Sequence, residues 1–404
     1  MNHITASAQD FYKQRCDFIH GIIFGSAVCL SQFNLKYGIP ASILIFIIIN
    51  REKFNFKINY SIKIILLLKI FIITLIWLLF SNKGKYNYIQ IISPDILLLL
   101  LLYFSNLDQK FVKGMAYPLF LLFISDFFYN IYSLFINSGL AGTMRAGDVI
   151  PRLTGILNSP IASVNISFLF FIYALYFRKK LFSILSFLAA MMTGALKAPL
   201  LFVAYFIGLF VLKLDLKKIY IFIFSLIFIL SIYTLVSFHS NLDHHNWCLR
   251  ECLKCMSIDL NGSAMRMVAW ENTIQNIILN PIHGFNQFNQ EPYFGSSSTE
   301  GLINRGIAES TYLQYMVDWG AIVGILQFAI LTLIFLKKRN QLIDDSCGVG
   351  LRYEQIVTTA LALAFILDSF FSSFFSSFIV VIYAGILVIN LPVNLDQKSN
   401  RLEA

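Results

Sequence analysis

The sequence predicts an all-α polytopic membrane protein with about twelve transmembrane helices, and three observations predict it. Hydrophobic residues make up 57% of the 404 and charged residues only 13%, against roughly 45–50% and about 25% in ordinary soluble domains. Mean hydropathy is +0.70 and Phe alone occurs 40 times, more apolar surface than a globule of this size can hide. The apolar residues also fall in runs that can cross about 30 Å of hydrocarbon at about 1.5 Å per residue. A soluble enzyme is thereby excluded. The formal charge of +9 is not a nucleic-acid signal either, because the basic residues sit in short clusters between apolar runs, as the positive-inside rule expects.

Taken in order, the first run covers 18–34 and follows Lys13 and Arg15. No small-residue cleavage site clearly follows it, so it reads as a span and not as a signal peptide. The second, 38–50, is short for a full crossing. Spans follow at 62–80, 89–104, 115–136 and 161–177, then two short ones at 181–196 and 198–212. Runs at 219–236, 311–336, 356–372 and 374–392 complete the set. Inner loops then hold Lys13, Arg15, Arg51, Lys53, Lys110, Lys113, Arg178, Lys179, Lys180, Lys213, Lys337 and Lys338 among others, and outer segments about half as many cations. That bias puts both termini in the cytoplasm.

The chain therefore divides into residues 1–236 with nine spans, an outer loop 237–310, and residues 311–404 with three spans and a cytoplasmic tail. A second irregular outer segment covers 137–160. Channels and carriers usually keep loops short, whereas about 74 residues stand outside here, and loops of that size are usually functional or disordered. Within this loop, 264–279 predicts a helix: Asn261 and Ser263 can cap it, and Asn280-Pro281 stops it. Met267, Trp270, Ile274, Ile277 and Ile278 form one face, suited to packing on the bundle or the membrane surface. The stretch from Gly295 to Gly301 is suited to a lid or gate.

Chemistry is concentrated on the outer side. Arg152, Lys197, Arg266 and Arg305 each read singly as interface cations. Together they lie where the rule depletes positive charge, so a local demand must favour them, and Arg suits phosphate through its planar fork. Glu309 stands at the interface before the tenth span, with Arg305 four residues earlier. Burial would raise its pKa and the arginine would lower it, a balance that suits a general base, usually worth about 10²–10⁴ in rate. Asp126 and Asp318 lie within spans and read equally as functional or as packed structural acids. Cys248, Cys252 and Cys255 follow His244 and His245, but the paired C-x-x-C arrangement of a zinc site is absent. Outside the cytoplasm, one disulfide with a thiol left over is the better reading. No Walker loop, dinucleotide fingerprint, HExxH or nucleophile elbow occurs, so no metal or cofactor is expected and the energy must come from the substrate.

The segment Arg152-Leu-Thr-Gly155-Ile-Leu-Asn158-Ser-Pro160 before a span resembles the R-x-x-G…N-P segment of bacterial O-antigen polymerases and ligases. So do Arg266-x-x-x-Trp270 with Asn280-Pro281-Ile-His-Gly284, and Ala308-Glu309-Ser310-Thr311-Tyr312-Leu313 with Gly320 and Gly324. Ligases carry a His-Asn pair where this chain has Glu309-Ser310, which favours a polymerase. Asn286 replaces the second glycine of N-P-x-x-G-x-G, and Lys197 replaces the arginine of a Ser-Arg-Gly turn, keeping the charge and losing the fork. The resemblance implies a metal-independent glycosyltransferase with a bundle like the C-type glycosyltransferase folds, in the inner membrane of a Gram-negative bacterium. It would join oligosaccharide repeat units en bloc, donor and acceptor both carried on undecaprenyl diphosphate. Arg152, Arg266, Arg305 and Lys197 would hold the diphosphates, Glu309 would take the acceptor proton, and Tyr312 would orient it. By the same analogy its partners are a chain-length regulator and a flippase in the lipid membrane, and no nucleic acid. The rivals are an O-antigen ligase, a polysaccharide-unit flippase and a scaffolding membrane protein.

Overall fold

The computed structural model describes residues 2–51, 60–80, 88–103, 107, 109–136, 142–143, 152–157, 159–195, 197–212, 274, 277–284, 311–344, 349–371 and 378–389. These residues form an all-α bundle. Its helices are α1 (Asn2–Ser31), α2 (Leu35–Asn50), α3 (Tyr60–Phe80), α4 (Tyr88–Tyr103), α5 (Gln109–Ile136), α6 (Pro160–Tyr176), α7 (Lys180–Met192) and α8 (Lys197–Val211). After them come α9 (Thr311–Trp319), α10 (Ala321–Asp344), α11 (Val349–Phe371) and α12 (Phe378–Ile389). Among the described residues three helical stretches are long and apolar enough to cross a membrane: Ser61–Leu79, Gln109–Ser133 and Ala321–Asn340. A two-residue antiparallel ladder, β1 (Gly142–Thr143) with β2 (Arg152–Leu153), lies in the segment between α5 and α6.

Most of the apolar runs read from the sequence coincide with a helix, with shifted ends. The run at 219–236 lies outside the described residues, as does most of the predicted loop helix 264–279, of which Ile274 and 277–279 are described and helical. One reading is corrected. The run 311–336 is not one helix: it breaks at Gly320, whose φ of +91° no continuous right-handed helix contains.

The packing follows from which faces are apolar. Every residue of α12 is buried, and α12 touches α1, α4, α5, α6, α10 and α11. The last described helix is thus the centre of the described bundle. Tyr383 fixes it there: its hydroxyl donates to the carbonyls of Gly25 on α1 (3.1 Å) and Met115 on α5 (3.3 Å), and Cys29 Sγ lies 3.3 Å away. α1 and α5 pack closely through Gly21 and Gly114, as small residues allow where helices meet in lipid. A second cluster of rings joins α6, α7 and α8, with Phe202 edge-on to Phe168, Phe171 and Phe187 at 5.1, 4.9 and 4.9 Å. Such pairs contribute about 0.5–1.5 kcal/mol each beyond area burial.

Candidate functional site

The segment that bears Arg152 is built by α5. Asp126, buried on α5, accepts from Ser163 Oγ, from the backbone N–H of Ile156 (2.9 Å) and from Asn130 Nδ2 (3.3 Å). Asn130 Oδ1 in turn accepts from the N–H of Gly155 (3.0 Å), and its amide donates to Ser163 Oγ (3.0 Å). Gly155 has φ +64°, and a side chain there would overlap the Asp126 carboxylate. Ser159 Oγ caps α6 by accepting from Ala162 N (3.3 Å), and Pro160 opens the helix where its missing N–H costs nothing. The motif thus reads as scaffolding around one carboxylate, and Asp126 is a packed, hydrogen-bonded acid. Replacing it with Ala removes the acceptor of three donors, the Ser163 hydroxyl, the Ile156 N–H and one N–H of the Asn130 amide, at about 1–3 kcal/mol for each buried group left unpaired. Asp126→Ala should therefore lower the melting temperature of the purified protein well beyond what the neighbouring Ser125→Ala does.

The same segment reaches the turn that bears Lys197. Leu153 N donates to Thr193 O (3.1 Å), and Thr193 folds the turn through bonds to Ala190 O (2.7 Å) and from Ala195 N (3.3 Å). Lys197 opens α8 just beyond and is partly exposed. Two of the predicted cation positions, Arg152 and Lys197, therefore lie on backbone segments hydrogen-bonded to one another.

The break at Gly320 is filled by the 280–284 turn. Pro281 O accepts from Ala321 N (2.8 Å), the first backbone donor of α10. A side chain at Gly320 would overlap the Ile282 carbonyl, and one at Gly284 (φ +68°) would overlap that of Val317. Gly284 N closes the turn onto Asn280 O (3.1 Å), and His283 Nδ1 lies 2.7 Å from Gly284 O. Two motifs that the sequence keeps apart, Asn280–Gly284 and Tyr312–Gly320, meet backbone to backbone.

Tyr312 is buried near the start of α9. Its hydroxyl donates to Ile366 O on α11 (3.2 Å), and its ring packs edge-on to Phe328 at 5.4 Å. This contact also orients the helices. Arg178, at the end of α6, stacks over Tyr353, near the start of α11, at 5.2 Å, so α6 and α11 run in opposite directions. The Ile366 end of α11 is then at the end of the bundle where α6 begins. Arg152, the Thr193–Lys197 turn and the Tyr312 end of α9 consequently share one end. Glu309, Arg266 and Arg305 lie outside the described residues, as do Cys248, Cys252 and Cys255 and the side chain of Arg152.

One group was missed by sequence reasoning. Lys69 on α3, fully buried, donates to Asp95 on α4 (2.8 Å) and to Gln327 on α10 (2.6 Å), with the Tyr315 ring 3.9 Å from its ammonium. Asp95 Oδ2 has no hydrogen-bond partner among the described residues. The available signal was that each charge interrupts an apolar run. No group of three or more metal-ligating side chains occurs among the described residues.

No protein-family model matches the chain, and a search of curated proteins gives no match to it.

Proposed function

We propose that this protein is an O-antigen polymerase, a membrane glycosyltransferase with about twelve spans and both termini in the cytoplasm. It joins undecaprenyl-diphosphate-linked repeat units at the periplasmic face of a Gram-negative inner membrane. The observation that carries the reading is that the Arg152 strand, the Lys197 turn and the Tyr312 end of α9 share one end of the bundle, the end that the Lys and Arg bias assigns to the outside. Glu309 precedes α9 by two residues in sequence, and Arg266 and Arg305 belong to the loop that the 280–284 turn ties to the α9–α10 joint.

The chemistry asked of such a site is modest. A diphosphate leaving group already activates the anomeric carbon, so positioning and charge stabilisation carry most of the work. In this reading Arg152, Arg266, Arg305 and Lys197 offset charge on the departing diphosphate. The Glu309 carboxylate accepts the proton of the attacking acceptor hydroxyl. Tyr312, anchored to α11 by its hydroxyl, holds the start of α9 and so the approach of Glu309. Neither a metal nor a cofactor is required, and a chain-length regulator and a flippase would be its partners.

The test is a gel of lipopolysaccharide from a strain lacking the gene, complemented with variants at matched protein level. Loss of the ladder with core bearing a single repeat unit is expected for the deletion, for Glu309→Gln and for Arg266→Ala. Core with no repeat would identify a ligase or a flippase instead. A full ladder from both variants would remove the assigned roles.

A further inference from the structure

Beyond the break at Gly320 the chain reverses, so that α9 lies back along α10. A Cβ at Gly324 would meet the Met316 side chain and the Tyr312 carbonyl, and the Tyr312 ring stands edge-on to Phe328 at 5.4 Å. Positions 312 and 328, like 316 and 324, are placed symmetrically about Gly320, so the two helices form a tight antiparallel pair with the break at its tip. The start of α9 is therefore level with Phe328, about two turns or about 10 Å along α10 from Ala321. That level falls within Ala321–Asn340, a stretch long and apolar enough to cross a membrane. With 9 residues, α9 itself is too short to cross. It has the form of a re-entrant arm.

On its α3–α4 side the arm packs through Trp319 and Tyr315 into an apolar cluster with Ile73, Ile76, Ile92 and Val323, separate from the main core. Apolar burial is non-directional, so these contacts hold the arm without fixing its register. A directional contact comes from Lys69. Its ammonium carries three N–H donors, and three groups meet it: Asp95 Oδ1 on α4 at 2.8 Å, Gln327 Oε1 on α10 at 2.6 Å and the face of the Tyr315 ring on α9 at 3.9 Å. One buried side chain on α3 thus touches α4, α9 and α10. Stability alone is a poor account of it, because well-packed apolar residues often serve as well as a buried ion pair. Asp95 Oδ2, without a hydrogen-bond partner among the described residues, adds to the cost of burying the pair. What apolar residues would not supply is a fixed point under one ring.

We infer that Lys69, held by Asp95 and Gln327, is a positioning residue that seats the re-entrant arm α9 through the Tyr315 ring, and so sets where the segment entering α9 is presented. The seating stands on the geometry alone. Its consequence for the reaction rests on the polymerase reading, in which that segment carries Glu309, two residues before α9. Seating the arm then fixes the approach of the carboxylate to the acceptor hydroxyl.

Two substitutions at Tyr315 separate the ring from the rest. Tyr315→Leu removes the ring and keeps the ion pair, whereas Tyr315→Phe keeps the ring and removes the hydroxyl. Hydrogen exchange of the full-length protein in detergent, read on peptides covering 311–319, should be on the order of 10-fold faster in Tyr315→Leu, the effect of losing one desolvated cation–π contact. Tyr315→Phe should match wild type, and α12 should exchange alike in all three. In the complemented deletion strain at matched protein level, Tyr315→Leu should cut long-chain polymer on the order of 10-fold and Tyr315→Phe should leave it full. Lys69→Met/Asp95→Leu serves where Tyr315→Leu folds poorly: its α9 should exchange fast even at a wild-type melting temperature, where a merely structural pair would leave α9 protected. Wild-type exchange of α9 in Tyr315→Leu, or lost protection in Tyr315→Phe, would overturn the assignment. Fast exchange with a full ladder would overturn the link to Glu309. Lipopolysaccharide unchanged by the deletion itself would remove the polymerase reading and leave the exchange result to decide the seating.

Discussion

Asp95→Leu should unfold or severely destabilise the protein, and Lys69→Met/Asp95→Leu should restore much of what is lost. The single substitution leaves the Lys69 ammonium fully buried with, among the described residues, Gln327 Oε1 and the Tyr315 ring as company. Removing one partner of a buried ion pair typically costs about 3–5 kcal/mol, because the remaining charge stays desolvated without its counter-ion. Replacing both charges with apolar groups of similar size is often neutral or stabilising, so the two substitutions should be strongly non-additive. Melting temperatures of the wild-type, two single and one double variant in the same detergent form the cycle. Additive losses would mean that the Lys69–Asp95 bond, at 2.8 Å, contributes little to holding α3, α4 and α10 together.

Gly320→Ala should be nearly as damaging, for a reason rooted in the backbone. A φ of +91° lies outside the conformations that residues with a Cβ adopt readily, and sparsely populated backbone states cost about 1–3 kcal/mol each. Here the Cβ would also strike the carbonyl of Ile282, with the Pro281 carbonyl 3.0 Å away. The 280–284 turn would have to move out, and the Ala321 N–H would lose its bond to Pro281 O. Gly324→Ala is a useful contrast, since Gly324 has no positive φ, although its Cβ would meet Met316 Cγ and, at 2.9 Å, the Tyr312 carbonyl. On the proposed polymerase reading, Gly320→Ala abolishes the polymer ladder, and it increases proteolysis between α8 and α9, while Gly324→Ala is milder in both. Wild-type behaviour of Gly320→Ala would mean that the turn is not tied to the helix break.

What could be read from the sequence followed from local pattern. Apolar runs gave the helices, and the clustered polar residues at Arg152–Pro160 and Asn280–Gly284 stood out because an apolar chain makes them conspicuous. The partners of those residues were not legible. Asp126 was visible as an acid inside a span, but only the fold brings it to the backbone of Ile156, thirty positions on. Lys69 and Gln327 lie 258 positions apart, and each sits in a run so apolar that the window average absorbs it. The break at Gly320 was masked for the same reason, since the residues on both sides are hydrophobic and composition does not register a change in φ.

The central place of α12 bears on how the molecule is made. A ribosome completes α1 and α5 long before it reaches Phe378, yet the groups that Tyr383 engages on those helices, the carbonyls of Gly25 and Met115, face the middle of the finished bundle. Until the closing segment is synthesised, the earlier helices surround a gap. During that interval lipid, or an insertion chaperone, must occupy the seat that α12 takes. Nascent chains stopped before residue 378 should therefore be prime substrates for membrane quality control. Supplying α12 as a separate polypeptide would be a direct way to ask whether the rest of the bundle waits for it.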